Sequence, residues 1–404
     1  MAWEFLLGEK MREKNEYDIQ ELARPDAPSQ GSFDIHLKAV TEHELRIDYW
    51  TGAFLAAALI YQIISGMLLA YYYQPGEPYT STLSLMETVP FGRLLLTSHL
   101  YMAYAMVGLV YFHMFRQYFT GAYRGRWRWL QWIIGVFIFA FVNAIAVIGY
   151  LLSQTYIGIA ALHVSELLIE RSIVGRLFPG LANFVVAILI GNGTTLETWE
   201  HLLILHAAIL SVIVLVLVGI HFFLYEKSGP YEMYPERHSD NERKIPWFPV
   251  NILYTALIAF FFIGIVLIFA ALFPQVLQPP YGGLEYGTTP FPDWYVMPVY
   301  KLMDVAGFGL TTGGVPLLIA FFLYLFILPF IDRYSGNEPL NRPMITFMGV
   351  FVIISFTVIA IWGYAQPGLS QTRPLTLALW FGITFASIVP VYAMKHAKKD
   401  SEKQ

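Results

Sequence analysis

The chain has 404 residues, 56% of them hydrophobic and only 13% charged, with a formal net charge of −4. A soluble domain carries about a quarter charged residues, so a soluble fold is disfavoured, and no basic footprint for nucleic acid is visible. There is no cysteine, which excludes disulfides, an all-cysteine iron–sulfur site and a thioether-linked prosthetic group in this chain.

Residues 1–45 form a polar N-terminal arm without the apolar core of a signal peptide. The first span is therefore expected to direct insertion. Eight apolar segments follow, near residues 50–73, 94–118, 130–152, 199–224, 249–273, 313–332, 343–364 and 373–394. Each is about 20 residues, the length that crosses a bilayer as a helix. The expected fold class is an all-α membrane protein with eight transmembrane helices. Residues 46–230 are read as a four-helix bundle and 231–404 as a C-terminal four-helix region. Two connections are long: 153–198, with short amphipathic helices, and 274–312, rich in Gly, Pro and aromatic residues.

Orientation follows from the basic residues. With eight spans both termini share one side. Arg93, Arg171, Arg176, Lys301 and Arg373 fall on the opposite side, and the remaining 20 of the 25 basic residues fall with the termini. The positive-inside rule then puts the termini in the cytoplasm of a cell membrane and both long loops outside.

Four histidines lie inside spans. His99 and His113 are fourteen residues apart on span two, and His206 and His221 fifteen apart on span four. Fourteen helical residues rise about 21 Å and turn about 1400°, so both rings return to nearly one face. Spans two and four run in the same direction, so His99 shares an outer level with His206 and His113 an inner level with His221. Each pair can clamp one flat macrocycle, since neutral imidazole is a good axial ligand for haem iron. Intramembrane histidines also serve proton relays. Glycines separate the two readings. Gly52 and Gly66 on span one, and Gly135 and Gly149 on span three, repeat the fourteen-residue interval. A porphyrin edge against a helix needs a missing side chain at its level, which a proton relay does not.

These residues resemble the cytochrome b subunit of quinol-oxidising cytochrome bc complexes, over nearly the whole chain after about residue 45. His113-Met114-Phe115-Arg116 followed by Tyr118-Phe119-Thr120-Gly121, and the fifteen-residue interval on span four, are similar to the split, chloroplast-type members. The C-terminal half is nevertheless fused, as in mitochondrial-type members. The resemblance implies two non-covalent b haems, on His99 with His206 and on His113 with His221, and no covalent third haem. Arg116 matches the family's partner of an inner-haem propionate.

Pro292-Asp293-Trp294-Tyr295 resembles the Pro-Glu-Trp-Tyr signature of the quinol oxidation site. Asp293 is the candidate proton acceptor, with Tyr295 beside it, and its shorter side chain hints at a low-potential quinone. Several positions depart from the family. Leu151-Leu152-Ser153-Gln154 lacks the usual proline and tryptophan, and Leu96 and His201 stand where propionate-binding arginines are common. His201 is read either as a hydrogen-bond partner of a propionate or quinone or as a simple boundary histidine, while His163 reads as an ordinary loop residue. Tyr225 and Thr255 replace the inner-site His and Asp of mitochondrial-type members, with Lys227, Arg243 and Lys244 nearby.

The family implies electron transfer from an outer quinol through both haems to an inner quinone. It also implies a Rieske-type iron–sulfur partner, a further cytochrome or equivalent acceptor, and a dimeric complex embedded in lipid. A di-haem anchor of a dehydrogenase and a haem-free transporter are the competing classes.

Overall fold

The computed structural model describes residues 39–41, 47–170, 172–191, 193, 195–229, 231, 244–280, 291–305, 315–334, 336, 338–366 and 373–401. Most of the polar arm, His36, His43, Arg171, His238 and Arg243 lie outside the described residues.

Helices dominate. In chain order they are α1 (Ile47–Tyr72), α2 (Pro78–Thr88), α3 (Gly92–Thr120), α4 (Arg128–Leu151), α5 (Tyr156–Glu170), α6 (Ile173–Leu177) and α7 (Pro179–Leu189). There follow α8 (Leu196–Ser228), α9 (Ile252–Leu272), α10 (Met297–Val305), α11 (Val315–Ile331), α12 (Pro343–Ala365) and α13 (Arg373–Ser401). Strands β1 (Ala39–Thr41) and β2 (Lys244–Pro246) form one short antiparallel ladder.

Seven of these helices are long and apolar enough to span a bilayer. The remaining apolar segment, expected at 313–332, is α11, whose 17 residues fall short of that length. It begins where the undescribed residues 306–314 end. The loop 153–198 contains three short helices, α5 to α7, as its composition suggested.

Phe260, Phe261, Phe381 and Phe385 are each more than 70% exposed. Large apolar side chains outward and every span helical is the arrangement a hydrocarbon solvent requires, because only helices satisfy their own backbone there. The buried core lies between α3, α4, α8 and α11, with Met102, Val107, Val136, Phe139, Val214, Leu325 and Leu328. α1 packs on α3, α8 on α4, and α9 on both α1 and α3. This is a multi-pass membrane protein of the all-α class.

The C-terminal half is fastened to the first four spans by buried polar contacts at the end of α3. Arg342 and Asp332 are both fully buried and ion-paired at 3.1 Å. Tyr123 donates to Asp332 Oδ2 at 2.6 Å and accepts from Arg342 Nη1 at 2.9 Å. Arg342 also donates to the carbonyl of Phe119. α3 stops at Gly121, which has φ 71°. A Cβ there would be left-handed and would stand 3.2 Å from Arg342 Cζ, so glycine both ends the helix and admits the guanidinium.

Candidate functional site

The four histidines of α3 and α8 meet in two pairs. The rings of His99 and His206 have centroids 6.3 Å apart, and those of His113 and His221 6.4 Å apart, with an interplanar angle of 67° in both pairs. Neighbouring helices fix each ring through Nδ1. His206 Nδ1 lies 2.9 Å from the Ile145 carbonyl and His221 Nδ1 3.1 Å from that of Gln131. A carbonyl only accepts, so these nitrogens carry the proton and each Nε2 keeps its lone pair. Ser65 commits its hydroxyl proton to the Tyr61 carbonyl at 2.6 Å, so at 2.8 Å it accepts from His99 Nδ1. Thr51 Oγ1 stands 3.2 Å from His113 Nδ1. This Nδ1 anchoring is what metal-ligating histidines use to set tautomer and ring orientation.

The sequence interval of fifteen on α8 would rotate one ring about 100° from where fourteen puts it. A π-helical turn at Leu205–Ile209 contains His206 and absorbs the extra residue. Ser211 Oγ caps the His206 carbonyl at 2.6 Å across that turn. One π turn takes up one inserted residue, so fifteen residues on α8 match fourteen on α3.

The glycines sit against the rings. A Cβ on Gly149 would lie 2.8 Å from His206 Cε1, and Cβ atoms on Gly66 and Gly135 would lie 3.3 Å from Cε1 of His99 and His221. Gly52 faces open space. Three of the four therefore admit the imidazoles themselves, a cause that the shared interval alone did not reveal. The pairs fit a flat iron macrocycle. Two metal–nitrogen bonds of about 2 Å, plus roughly 1.1 Å from each nitrogen to its ring centre, give about 6.2 Å between centroids, close to the separations of the two pairs. Among the described residues no cluster of three or more His, Asp or Glu offers a competing metal cage.

Arg116 is close enough to His113 to couple to it electrostatically. His201 Nδ1 is buried without a hydrogen-bond partner. His163 is exposed, Lys227 Nζ lies 5.5 Å over the Phe223 ring, and Thr255 bonds back to the Asn251 carbonyl at 2.8 Å.

At the His99 end, Tyr104 of α3 donates to Asp293 Oδ1 at 2.8 Å, and Tyr295 approaches Oδ2 at 3.5 Å. Burial pushes the Asp293 carboxyl above its ordinary range, and the two phenol hydrogen bonds pull it partly back. Burial, and then the neighbouring carboxylate, push Tyr295 upward. Beside this group lies an apolar cavity of about 330 Å³ lined by Tyr101, Tyr104, Val266, Phe269 and Phe273. Sequence reasoning missed Tyr104. With 26 tyrosines in the chain, nothing local distinguished the one that meets the carboxylate across 189 residues.

The class is thus a membrane helix bundle with paired, anchored imidazoles suited to haem. A family model described as "Cytochrome b(N-terminal)/b6/petB" matches residues 104–280, and one described as "Cytochrome b(C-terminal)/b6/petD" matches 288–385. The chain is 31% identical over 371 residues to a cytochrome b of Sulfolobus acidocaldarius, covering 82% of this chain and 63% of that protein's length. It is 30% identical over 199 residues to cytochrome b6 of Chlamydomonas reinhardtii, covering 48% of this chain and 89% of that one. A chain of a hyperthermophilic respiratory Complex III superposes with a TM-score of 0.73 at 25% identity, covering 90% of this chain and 94% of that chain. This chain belongs to the cytochrome b family, whose members bind haem b. Membership leaves the dehydrogenase-anchor and transporter readings without support.

Proposed function

We propose that the chain is the core subunit of a proton-translocating bc-type complex of the cell membrane, with both termini cytoplasmic. A membrane quinol is oxidised at the outer face and a quinone is reduced at the inner face. The observation that carries this is the half-buried Asp293 carboxylate, held by Tyr104 beside an apolar cavity at the His99–His206 end.

His99 with His206, and His113 with His221, would hold two non-covalent b haems. Gly52, Gly66, Gly135 and Gly149 leave room, and Arg116 offers a charge to an inner propionate. When bound, haem supplies reversible one-electron chemistry between the two faces.

The chain's own residues supply positioning and proton handling. The cavity offers the quinol ring an apolar contact surface. A quinol must lose two protons with its two electrons, and Asp293 accepts one while ionised, its position set by Tyr104 and Tyr295. The raised carboxyl is a stronger base than a solvated aspartate, which favours that transfer. The first electron requires an acceptor this cysteine-free chain cannot build, so a Rieske-type iron–sulfur protein and a further cytochrome or equivalent acceptor are its partners, in a dimeric assembly.

Asp293→Asn keeps size and hydrogen bonding and removes the base. Steady-state quinol oxidation by the intact complex should fall about a hundred-fold, the usual worth of general base catalysis. The haem spectrum should stay native, and Asp293→Glu should retain substantial turnover. An Asn variant with a native spectrum and near-native turnover would remove Asp293 from the mechanism.

A further inference from the structure

The turn that carries Asp293 is not part of a span, yet it must keep a carboxylate on Tyr104. The backbone carbonyl of Asp293 accepts from the N–H groups of Val296 and Met297, both at 2.9 Å. The turn is therefore continuous with the first turn of α10, and a shift of α10 is passed directly to Asp293.

The adjacent end of α12 grips both flanks of this turn. Before Asp293, the ring of Phe291 stacks on Tyr364 with planes within 7°, and the Tyr364 hydroxyl approaches the Pro292 carbonyl at 3.4 Å. After it, Met297 and Lys301 lie four residues apart on one face of α10 and close over Gly363. A Cβ at Gly363 would stand 2.6 Å from Met297 Sδ and 3.2 Å from Lys301 Cβ. Lys301 is fully buried. Its ammonium donates to the Gln366 carbonyl at 2.8 Å and lies 5.5 Å over the Trp362 ring. Gln366 is the C-cap of α12, where unsatisfied carbonyls carry partial negative charge that favours a cation. Lys301 is therefore not a solvated charge, because a buried ammonium persists only where such partners are built for it.

We infer that Lys301 is a positioning residue for quinol oxidation: anchored on the C-terminal end of α12, it fixes the register of α10 and so holds the Asp293 carboxylate on Tyr104. This rests on the reading of Asp293 as the proton acceptor. Lys301 touches no substrate in this scheme and acts through the turn.

The test uses the intact complex, with its haem spectrum as the check on folding. Lys301→Met keeps the stem over Gly363 and Trp362 and removes charge and donors, while Lys301→Arg keeps both. The readouts are kcat, the quinol KM and the pH profile of kcat/KM. The groups that face or couple to Asp293 are Tyr104 on α3, Tyr150 on α4, Tyr364 on α12 and Tyr295 beside it, so the acid limb of that profile reports its carboxyl.

Lys301→Met should leave the spectrum and KM native. It should lower kcat about ten- to a hundred-fold, the scale of a small misplacement of a catalytic group. The acid limb should move to lower pH as the loosened carboxyl meets water. Lys301→Arg should restore most of kcat and the limb. Native kcat with an unmoved limb in the Met variant overturns the inference. So does a loss that Arg fails to restore, or a haem spectrum lost alike in the Met and Arg variants. Asp293→Asn run in parallel separates the two claims. If it loses the acid limb while Lys301→Met keeps it, only the positioning role fails. If it works near-natively, the Asp293 reading fails and takes this one with it.

Discussion

Gly149→Ala adds one methyl group at the tightest point of the ligand cradle. Its Cβ would lie 2.8 Å from His206 Cε1, whereas carbon atoms rest at about 3.5–4.0 Å. The imidazole would have to retreat by roughly 0.7 Å or more to reach that range. It cannot do so freely, because Nδ1 is tied to the Ile145 carbonyl at 2.9 Å on the same helix that carries the new methyl. Overpacking of this kind costs about 1–3 kcal/mol, a factor of roughly five to a hundred and fifty in occupancy of a site that needs the native ring position. The effect should be graded: Gly149→Ala largest, Gly66→Ala and Gly135→Ala smaller because their Cβ atoms would sit at 3.3 Å, and Gly52→Ala smallest because it meets no protein atom. Reduced-minus-oxidised spectra with haem quantification would read this site by site, Gly149 and Gly66 acting on the His99–His206 signal and Gly135 on the other. Full haem content and unshifted potentials in Gly149→Ala would refute the reasoning. A severe loss in Gly52→Ala would show instead that the macrocycle edge, not the imidazole, sets the glycine requirement.

Replacing His113 or His221 by Ala should empty the inner site and spare the outer haem, about 21 Å away by helix rise; two intact haem signals would cancel the ligand assignment. Acid–organic extraction should strip all haem from the polypeptide, and retained haem would contradict non-covalent binding. The Asp293 carboxyl is raised above the 3.8 of an unperturbed aspartate, so kcat/KM for quinol should fall as pH drops through that raised value and Asp293→Asn should lack this limb; an identical limb in the Asn variant assigns it to another group. Asp332→Asn leaves the buried Arg342 without its carboxylate, and breaking a buried pair costs about 3–5 kcal/mol, so the complex should lose thermal stability markedly; an unchanged melting profile would show that Tyr123 and the Phe119 carbonyl suffice.

The spans were legible because bilayer thickness imposes a length and an apolar composition that survive in one dimension. α11 is the instructive case: its residues are apolar throughout, yet its described helix is shorter than a span. The histidine partners were legible because helix rise and direction fix which levels coincide. The π turn at Leu205–Ile209 was not, since nothing in Leu-His-Ala-Ala-Ile marks where one extra residue is absorbed; only the unequal intervals of fourteen and fifteen carried its trace. The ring anchors divide in the same way. Ile145 and Gln131 contribute backbone carbonyls, which every residue possesses, so their identities could not signal the role. The bonds of Tyr104 to Asp293, of Lys301 to the Gln366 carbonyl and of Arg342 to the Phe119 carbonyl were invisible because they join residues 189, 65 and 223 positions apart, and single-sequence patterns report only near neighbours.

The candidate oxidation site is assembled from both halves of the chain. α3 contributes Tyr104 and one wall of the cavity, α9 contributes Val266 and Phe269, and the turn before α10 contributes the carboxylate. A hydrogen bond of 2.8 Å tolerates only a few tenths of an ångström before it weakens, so the halves must be locked to each other and not merely adjacent. The locks stand at opposite ends of α12. At the far end of α3 the Arg342–Asp332–Tyr123 contacts fix the start of α12 against the haem-core half. At the near end of α12, Tyr364, Gly363 and Gln366 hold the turn and α10. α12 is thus a rigid strut, tied at one end to the helix that carries His113 and at the other to the turn that carries Asp293. In the proposed mechanism, proton acceptance by this loop carboxylate inherits the precision of a transmembrane helix, which a loop alone would not supply.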